Sequence, residues 1–168
     1  MSTSLPPKPR VISSQRNRIA IVASKYNEQY SDALVDFVID ELGEYLPQAR
    51  VDLIRVPGAF EIPVTVRTIV ELEAPTCVIA LGVILQGETE HANLVAGSVT
   101  EALMTLAMQY HTPVIHEVLL LENEEQARQR CLDEKLNRGI EAARAAATMV
   151  EVFHELDRGK KLRMKRNV

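Results

Sequence analysis

The segment that decides the fold covers residues 80–91 and reads ALGVILQGETEH. Its apolar first half predicts a buried strand, and a helical pattern of apolar residues follows it as far as Tyr110. The polar residues between the two elements therefore form a tight turn from a strand into a helix. A helix start exposes backbone N–H groups and carries partial positive charge, so this turn can hold an anion beside His91.

Strand-like and helical patterns alternate along the rest of the chain. Strands are predicted at residues 18–23, 51–56, 76–85 and 113–121. Helices are predicted from a cap at Ser31 to Pro47, and at residues 64–72, 91–110, 124–132 and 139–156. This alternation predicts a parallel sheet with helices on both faces. Ligands bind such sheets beyond the carboxyl ends of the strands, where the polar loops 24–27, 57–63 and 86–91 should meet.

Composition indicates one globular domain. The chain has 168 residues, 46% of them hydrophobic, and only 4% are aromatic, so the core must be aliphatic. We predict an extended N-terminal arm at residues 1–17, the domain at 18–156 and a basic tail at 157–168. The tail either recruits an acidic partner or is simply solvated. Cys77 and Cys131 lie in apolar and helical patterns without metal-ligand spacing, which predicts buried thiols.

Charge and hydropathy narrow the class of protein further. A formal charge of −4 argues against general nucleic-acid binding. No apolar run approaches the roughly 20 residues that span a bilayer. The N-terminus lacks an apolar signal core, so we expect a cytoplasmic protein.

Each candidate site residue has a functional and a structural interpretation. His91 is either a general acid or base or an ordinary histidine at a helix start. Thr89 either helps to hold an anion or caps the helix. Glu61, between two prolines, either accepts hydrogen bonds from ligand hydroxyls or complements a helix dipole. Tyr26 and Asn27 follow a strand, where they either contact a flat ring or pack against the protein.

Two arginines, Arg128 and Arg130, lie on one predicted helix and point to different faces because they are alternate residues. One of them either binds a phosphate or pairs with acidic neighbours at the surface.

The order and spacing of these motifs resemble the lumazine synthase family (6,7-dimethyl-8-ribityllumazine synthase). The resemblance rests on VPGAFEIP at residues 56–63 and GVILQGETEH at 82–91, continued by Glu125-Gln126-Ala127, Arg130 and Arg138-Gly139. It implies a three-layer α/β/α sandwich with a four-stranded parallel sheet in flavodoxin-like order. It also implies homopentamers with sites between subunits, in some members assembled as twelve pentamers in a hollow shell. An N-terminal edge strand would pair with a neighbour, and riboflavin synthase is a possible associated protein.

The resemblance further implies a reaction in riboflavin biosynthesis. The substrates are 5-amino-6-(D-ribitylamino)uracil and 3,4-dihydroxy-2-butanone 4-phosphate, and the enzyme needs no metal or organic cofactor. His91 would be the proton shuttle. Ring and ribityl contacts would come from Tyr26, Asn27, Ala59, Phe60, Glu61, Val83, Leu85, His116 and Arg138. The phosphate would be bound by Gly87, Glu88, Thr89 and Arg130, with Arg130 and His116 supplied by a neighbouring subunit.

The chain departs from the family pattern at several positions. His116 and Glu117 replace the usual Phe-Gly, and residues 92–94 read Ala-Asn-Leu where the family has aromatics around an acid. Residues 133–137 replace a Gly-rich approach to Arg138. These changes leave a second interpretation open, a non-catalytic flavin- or lumazine-binding shell or scaffold. A third is a riboflavin synthase of the archaeal type, which the phosphate-binding turn disfavours.

Overall fold

The computed structural model describes residues 4–11 and 16–166, with side chains as far as Gly159. Four strands alternate with five helices. The strands are β1 (Arg18–Ser24), β2 (Arg50–Val56), β3 (Cys77–Leu85) and β4 (Val114–Leu121). The helices are α1 (Glu28–Tyr45), α2 (Ile62–Glu73), α3 (His91–Tyr110), α4 (Glu124–Ala127) and α5 (Arg138–Arg166). A 3₁₀ turn at Ala59–Glu61 precedes α2, and a π-helical turn at Arg128–Leu132 follows α4.

The sheet is parallel throughout and has the order β2-β1-β3-β4. The central strands β1 and β3 are apolar along almost their whole length because helices cover both of their faces. One core lies beneath α1 and α5, and the other lies beneath α2 and α3. The predicted three-layer α/β/α fold in flavodoxin-like order is therefore confirmed.

Several predicted helix boundaries differ from the structure. Ser31 is not a cap, because α1 begins at Glu28 and the buried Ser31 hydroxyl donates to the Ser24 carbonyl at 2.6 Å. Helix α2 begins at Ile62, two residues before the predicted start, because Pro63 fits the first turn of a helix. The single helix predicted at residues 124–132 is α4 followed by the π-helical turn. Helix α5 continues past the predicted end at Leu156 as far as Arg166.

The N-terminal arm contacts the domain through Arg144. Its Nη1 donates to the Pro6 carbonyl at 2.7 Å, and its Nε pairs with Glu41 on α1 at 2.7 Å. Residues 4–11 and 16–17 contain no helix or strand. The rest of the predicted arm, and residues 167–168 of the predicted tail, lie outside the described residues. The edge strand paired with a neighbour stays a prediction. In the described part of the chain, no helix is both long enough and apolar enough to cross a membrane.

Candidate functional site

Three strand ends and the loops after them surround one cavity. Strands β1, β2 and β3 end at Ser24, Val56 and Leu85, on the same edge of the parallel sheet. The cavity has a volume of about 480 Å³ and opens to solvent. It is lined by Tyr26, Asn27, Gly58, Ala59, Phe60, Glu61, Val83, Ile84, Leu85, His91, Ala92 and Val95. The structure thus brings together every predicted ring and ribityl residue except His116 and Arg138, and adds the predicted proton shuttle.

Backbone hydrogen bonds connect the loop after β1 to the loop after β2. The Lys25 amide donates to the Val56 carbonyl at 2.8 Å, and the Tyr26 amide donates to the Pro57 carbonyl at 3.1 Å. Asn27 has a left-handed backbone, with φ 57° and ψ 47°, a conformation that asparagine tolerates better than most residues. Its side-chain Nδ2 donates to the Val83 carbonyl at 2.8 Å. A carbonyl has two lone pairs, so that of Val83 can accept a second hydrogen bond.

The loop after β2 depends on a glycine. A Cβ atom on Gly58 would lie 2.9 Å from the Tyr26 ring and 3.0 Å from the Glu61 carboxylate, so only glycine allows this close approach. The Gly58 amide donates to Glu61 Oε2 at 2.9 Å, which fixes the carboxylate at the cavity. Tyr26 and Phe60 are 70% and 63% exposed. Two exposed aromatic rings beside one cavity offer flat apolar surfaces for a ring-shaped ligand.

The turn between β3 and α3 is exposed from Gln86 to His91. Helix α3 begins at His91, and the preceding Glu90 makes no side-chain hydrogen bond to the first helical N–H groups. The first N–H groups of this 20-residue helix therefore have no side-chain cap, and such groups can donate to an anion. The phosphate contacts of Gly87, Glu88 and Thr89 stay a prediction. These three residues adjoin the cavity through His91 but do not line it.

Three predicted site residues lie away from the cavity of their own chain. His116 lies on β4, where its Nε2 is 2.9 Å from the Thr100 hydroxyl. Arg130 is half-buried in the π-helical turn, whereas Arg128 is exposed. Arg138 is only 6% exposed at the start of α5 and pairs with Glu141. Within one chain, these residues do not meet the other half of the predicted site.

A half-buried carboxyl group, that of Glu117, lies near Arg138 in this second set of residues. Burial raises the pKa of Glu117, on β4, to about 8, against the opposing charge of Arg138 and with added repulsion from Glu141. The two cysteines are buried free thiols, as predicted. Burial raises the pKa of the Cys77 thiol to about 12, and burial together with Glu117 does the same for Cys131. The described residues contain no group of three or more His, Cys, Asp or Glu that could hold a metal ion.

Sequence reasoning missed part of the cavity and its support. Ala92 and Val95 line the cavity because they lie one and four positions beyond His91 on α3. The four-residue helical spacing could have indicated Val95. Arg55, on β2, hydrogen-bonds the Ser31 hydroxyl at 3.1 Å and pairs with Asp32. No spacing rule indicated that pair, because it joins a strand to a helix 23 residues away.

The fold and the cavity define the class of protein, an α/β protein with a small-molecule site at the carboxyl edge of a parallel sheet. A family model described as 6,7-dimethyl-8-ribityllumazine synthase matches residues 16–154. A relative of that name in Halorhodospira halophila (strain DSM 244 / SL1) is 35% identical over 149 residues, which cover 88% of this chain and 96% of the relative. The chain belongs to the 6,7-dimethyl-8-ribityllumazine synthase family.

Similarity to solved structures is weaker. A de novo designed Rossmann fold protein is 17% identical, with a TM-score of 0.37 over 68% of this chain and 92% of the design. A GDP-L-fucose synthetase from Naegleria fowleri, bound to NADP, is 12% identical, with a TM-score of 0.41 over 98% of this chain and 51% of the synthetase. Neither similarity bears on the function of this chain.

Proposed function

We propose that the chain is a transferase of riboflavin biosynthesis that makes 6,7-dimethyl-8-ribityllumazine. It condenses 5-amino-6-(D-ribitylamino)uracil with 3,4-dihydroxy-2-butanone 4-phosphate and releases phosphate and water. One observation carries the proposal: the two long motifs that define the family resemblance, at residues 56–63 and 82–91, converge on one cavity. A volume of about 480 Å³ lies within the usual range for a small-molecule site.

The reaction has three parts, each of which moves protons. The 5-amino group condenses with the ketone and loses water to form a Schiff base. Phosphate then leaves, and the ribityl-bearing nitrogen closes the second ring with loss of another water. Holding both substrates in one cavity lowers the barrier by up to roughly 7–11 kcal/mol, because their relative translation and rotation are already restricted. A positioned acid or base typically raises the reaction rate by a further factor of about 10²–10⁴.

The pyrimidine substrate occupies the cavity between Tyr26 and the end of β3. Tyr26 stacks on its ring, and the main chain at Val83 and Leu85 hydrogen-bonds the polar edge of the pyrimidine. Glu61 accepts hydrogen bonds from ribityl hydroxyls, supported by the Gly58 amide that orients its carboxylate. Asn27, Ala59 and Phe60 complete this wall.

The phosphate substrate binds at the start of α3. Gly87, Glu88 and Thr89 place backbone donors and one hydroxyl around the phosphate, where the helix dipole favours its charge. His91 stands between the two substrates and transfers protons, a role supported by its position at the boundary of cavity and turn.

A second copy of the chain completes the site. Its Arg130 neutralises the phosphate, and its His116 and Arg138 form the wall on the ring side. This part of the proposal is supported by the lining of the cavity, which includes none of those residues from the same chain. The assembly is a homopentamer with head-to-tail contacts, which close into a ring, and twelve such rings can form a shell.

The remaining proposals concern the setting of the enzyme. The protein acts in the cytoplasm and can associate with a riboflavin synthase. Residues 1–17 form the arm, 18–156 form the catalytic domain, and 157–168 form a basic tail that is not needed for catalysis. The reaction uses neither a metal nor an organic cofactor.

A second candidate function is a non-catalytic shell or scaffold that binds a flavin or lumazine. The observation that favours it is the altered strand β4, where His116 hydrogen-bonds Thr100 and Glu117 is a half-buried carboxyl group with a raised pKa. Such a protein would still bind a flavin or lumazine ring in the cavity but would not catalyse the condensation.

One assay separates the two functions. Purified protein is mixed with both substrates, and lumazine absorbance and released phosphate are followed against a protein-free control, because the reaction also proceeds spontaneously. The proposal predicts equal amounts of lumazine and phosphate, formed well above the spontaneous rate. Ligand binding without any acceleration would favour the scaffold, and riboflavin formed from lumazine alone would identify a different enzyme.

A further inference from the structure

Arg55 connects the end of β1 to the start of α1. Its Nη1 donates to the Ser31 hydroxyl at 3.1 Å and to the Ser24 carbonyl at 3.4 Å, and its Nη2 pairs with Asp32. The Ser31 hydroxyl donates in turn to the Ser24 carbonyl at 2.6 Å. One guanidinium therefore holds a strand end, a buried hydroxyl and a helix carboxylate together.

The segment between these anchors is short and carries two site residues. Only residues 25–27 separate β1 from α1, so the positions of Tyr26 and Asn27 depend on how the two elements are held. The Asn27 side chain does not cap α1, because it reaches the Val83 carbonyl instead. Asn27 also holds a left-handed backbone, which costs free energy unless its surroundings fix it. Arg55 links α1 to the end of β1 through the side chains of Ser31 and Asp32 and the Ser24 carbonyl.

We propose that Arg55 is a positioning residue that holds the loop of Tyr26 and Asn27 in the conformation that binds the pyrimidine substrate. The inference rests on the proposed function. Arg55 does not line the cavity and acts through the loop alone. Arginine suits this role because its planar fork donates in several fixed directions, whereas lysine presents a compact charge on a flexible stem.

The test compares Arg55→Met with Arg50→Met in the full-length protein. Arg50 is a matched control because it lies on the same strand, at the opposite end, and pairs with Asp52 at 2.9 Å. We expect Arg55→Met to raise the KM for the pyrimidine substrate about tenfold, as for the loss of a hydrogen bond to a charged group. The KM for the phosphate substrate and kcat should stay within about twofold, since the turn before α3 makes none of these contacts.

Two further measurements distinguish positioning from general stability. Asn27→Ala should raise the same KM, and adding Arg55→Met to it should cause little further rise, because both changes release one loop. Arg55→Lys, which keeps the charge opposite Asp32, should recover part of the affinity. Amide hydrogen exchange at Lys25 and Tyr26 should become faster in Arg55→Met and stay unchanged in Arg50→Met.

The results that would overturn the inference are distinct from failure of the proposed function. The inference is wrong if both KM values rise equally, if the effects of Asn27→Ala and Arg55→Met add, or if Arg50→Met matches Arg55→Met. If Arg55→Met does not fold, Arg55→Lys is judged by the same criteria. If the unmodified protein makes no lumazine, the proposed function fails by itself. The role of Arg55 is then decided by amide exchange at Lys25 and Tyr26, and unchanged exchange there refutes it.

Discussion

The two sides of the candidate site are built differently. On the pyrimidine side, Asn27 bonds Val83, Glu61 bonds Gly58, and backbone hydrogen bonds join the loops after β1 and β2. On the proposed phosphate side, the turn from Gln86 to Glu90 is exposed, and no lysine or arginine among the described residues lines the cavity. The hydrogen bonds of the pyrimidine side form within one chain. The phosphate side has the N–H groups of a helix start but no arginine or lysine from the described part of the same chain.

This difference is consistent with the proposal that the site is completed by a second chain. A phosphate group is held most strongly where an arginine can form charge-assisted hydrogen bonds with it. The candidate arginine, Arg130, lies in the π-helical turn and does not reach its own cavity. Short π-helical segments are rare and often occur at functional sites, which is consistent with the proposal that Arg130 binds the phosphate in the site of a neighbouring chain.

His91, at the boundary of the two sides, should give the largest effect. His91→Asn should lower kcat about 10²-fold or more, because it removes the proposed proton shuttle and keeps a polar side chain at the start of α3. Steady-state assays give kcat, and circular dichroism verifies the fold. His111→Asn is the control, since His111 is exposed at the opposite end of the same helix. Equal losses in the two variants would remove His91 from catalysis.

Removing the charge of Arg130 tests whether this arginine is the cation that binds the phosphate. Arg130→Ala should raise the KM for the phosphate substrate about 10- to 100-fold, the usual cost of a lost charge-assisted contact, and leave the KM for the pyrimidine nearly unchanged. Arg128→Ala is the matched control from the same turn, because Arg128 is exposed. If Arg128→Ala weakens phosphate binding and Arg130→Ala does not, Arg128 and not Arg130 is the phosphate-binding arginine.

The stability of the chain should respond to pH through Glu117, on β4. Its pKa is raised from the ordinary 4.5 to about 8, so between these values the folded chain binds a proton that the unfolded chain has lost. The free energy of unfolding should therefore fall as the pH rises from 4.5 to 8, by at most about 1.4 kcal/mol per pH unit, and level off above pH 8. Urea unfolding of Glu117→Gln should lack this slope and show greater stability at pH 8.

The facing groups serve as controls for that titration. Arg138 and Glu141 act on Glu117 with opposite signs, and the Cys131 thiol stays protonated over the same range because its pKa is about 12. Cys131→Ala should therefore keep the pH slope. A slope that survives in Glu117→Gln would assign the titration to another group.

The sequence predicted the sheet and much of the cavity for physical reasons. Buried parallel strands are continuous apolar runs, so β1 and β3 were unambiguous, and all parallel strands end in loops on one edge. The motif residues Ala59, Phe60 and Glu61 meet Val83 in the cavity because β2 and β3 both flank β1.

Features that depend on tertiary contacts were not predictable in the same way. Ser31 has the composition of a helix cap, yet its hydroxyl bonds Ser24, because Asn27 begins the helix in a left-handed conformation. Residues 128–132 have ordinary helical composition, and the wider π turn is shown by the structure, for example by the bond from the Asp133 amide to the Arg128 carbonyl. The end of α5 was misjudged because basic residues are compatible with both a solvated tail and a helix.

The most direct test of a site shared between chains is complementation between two impaired variants, assayed with the phosphate substrate far below the KM of the Arg130→Ala variant. Chains with His91→Asn and chains with Arg130→Ala are co-expressed in equal amounts with different tags, and mixed assemblies are purified and assayed. A site between neighbours should recover about one quarter of the unmodified activity, because random head-to-tail neighbours pair two intact halves that often. Mixing unmodified chains with chains that carry both His91→Asn and Arg130→Ala should also give about one quarter of the unmodified activity. If each chain held a whole site, the same mixture would give about one half of that activity. Mixed assemblies no more active than the average of the two variants alone would contradict the account.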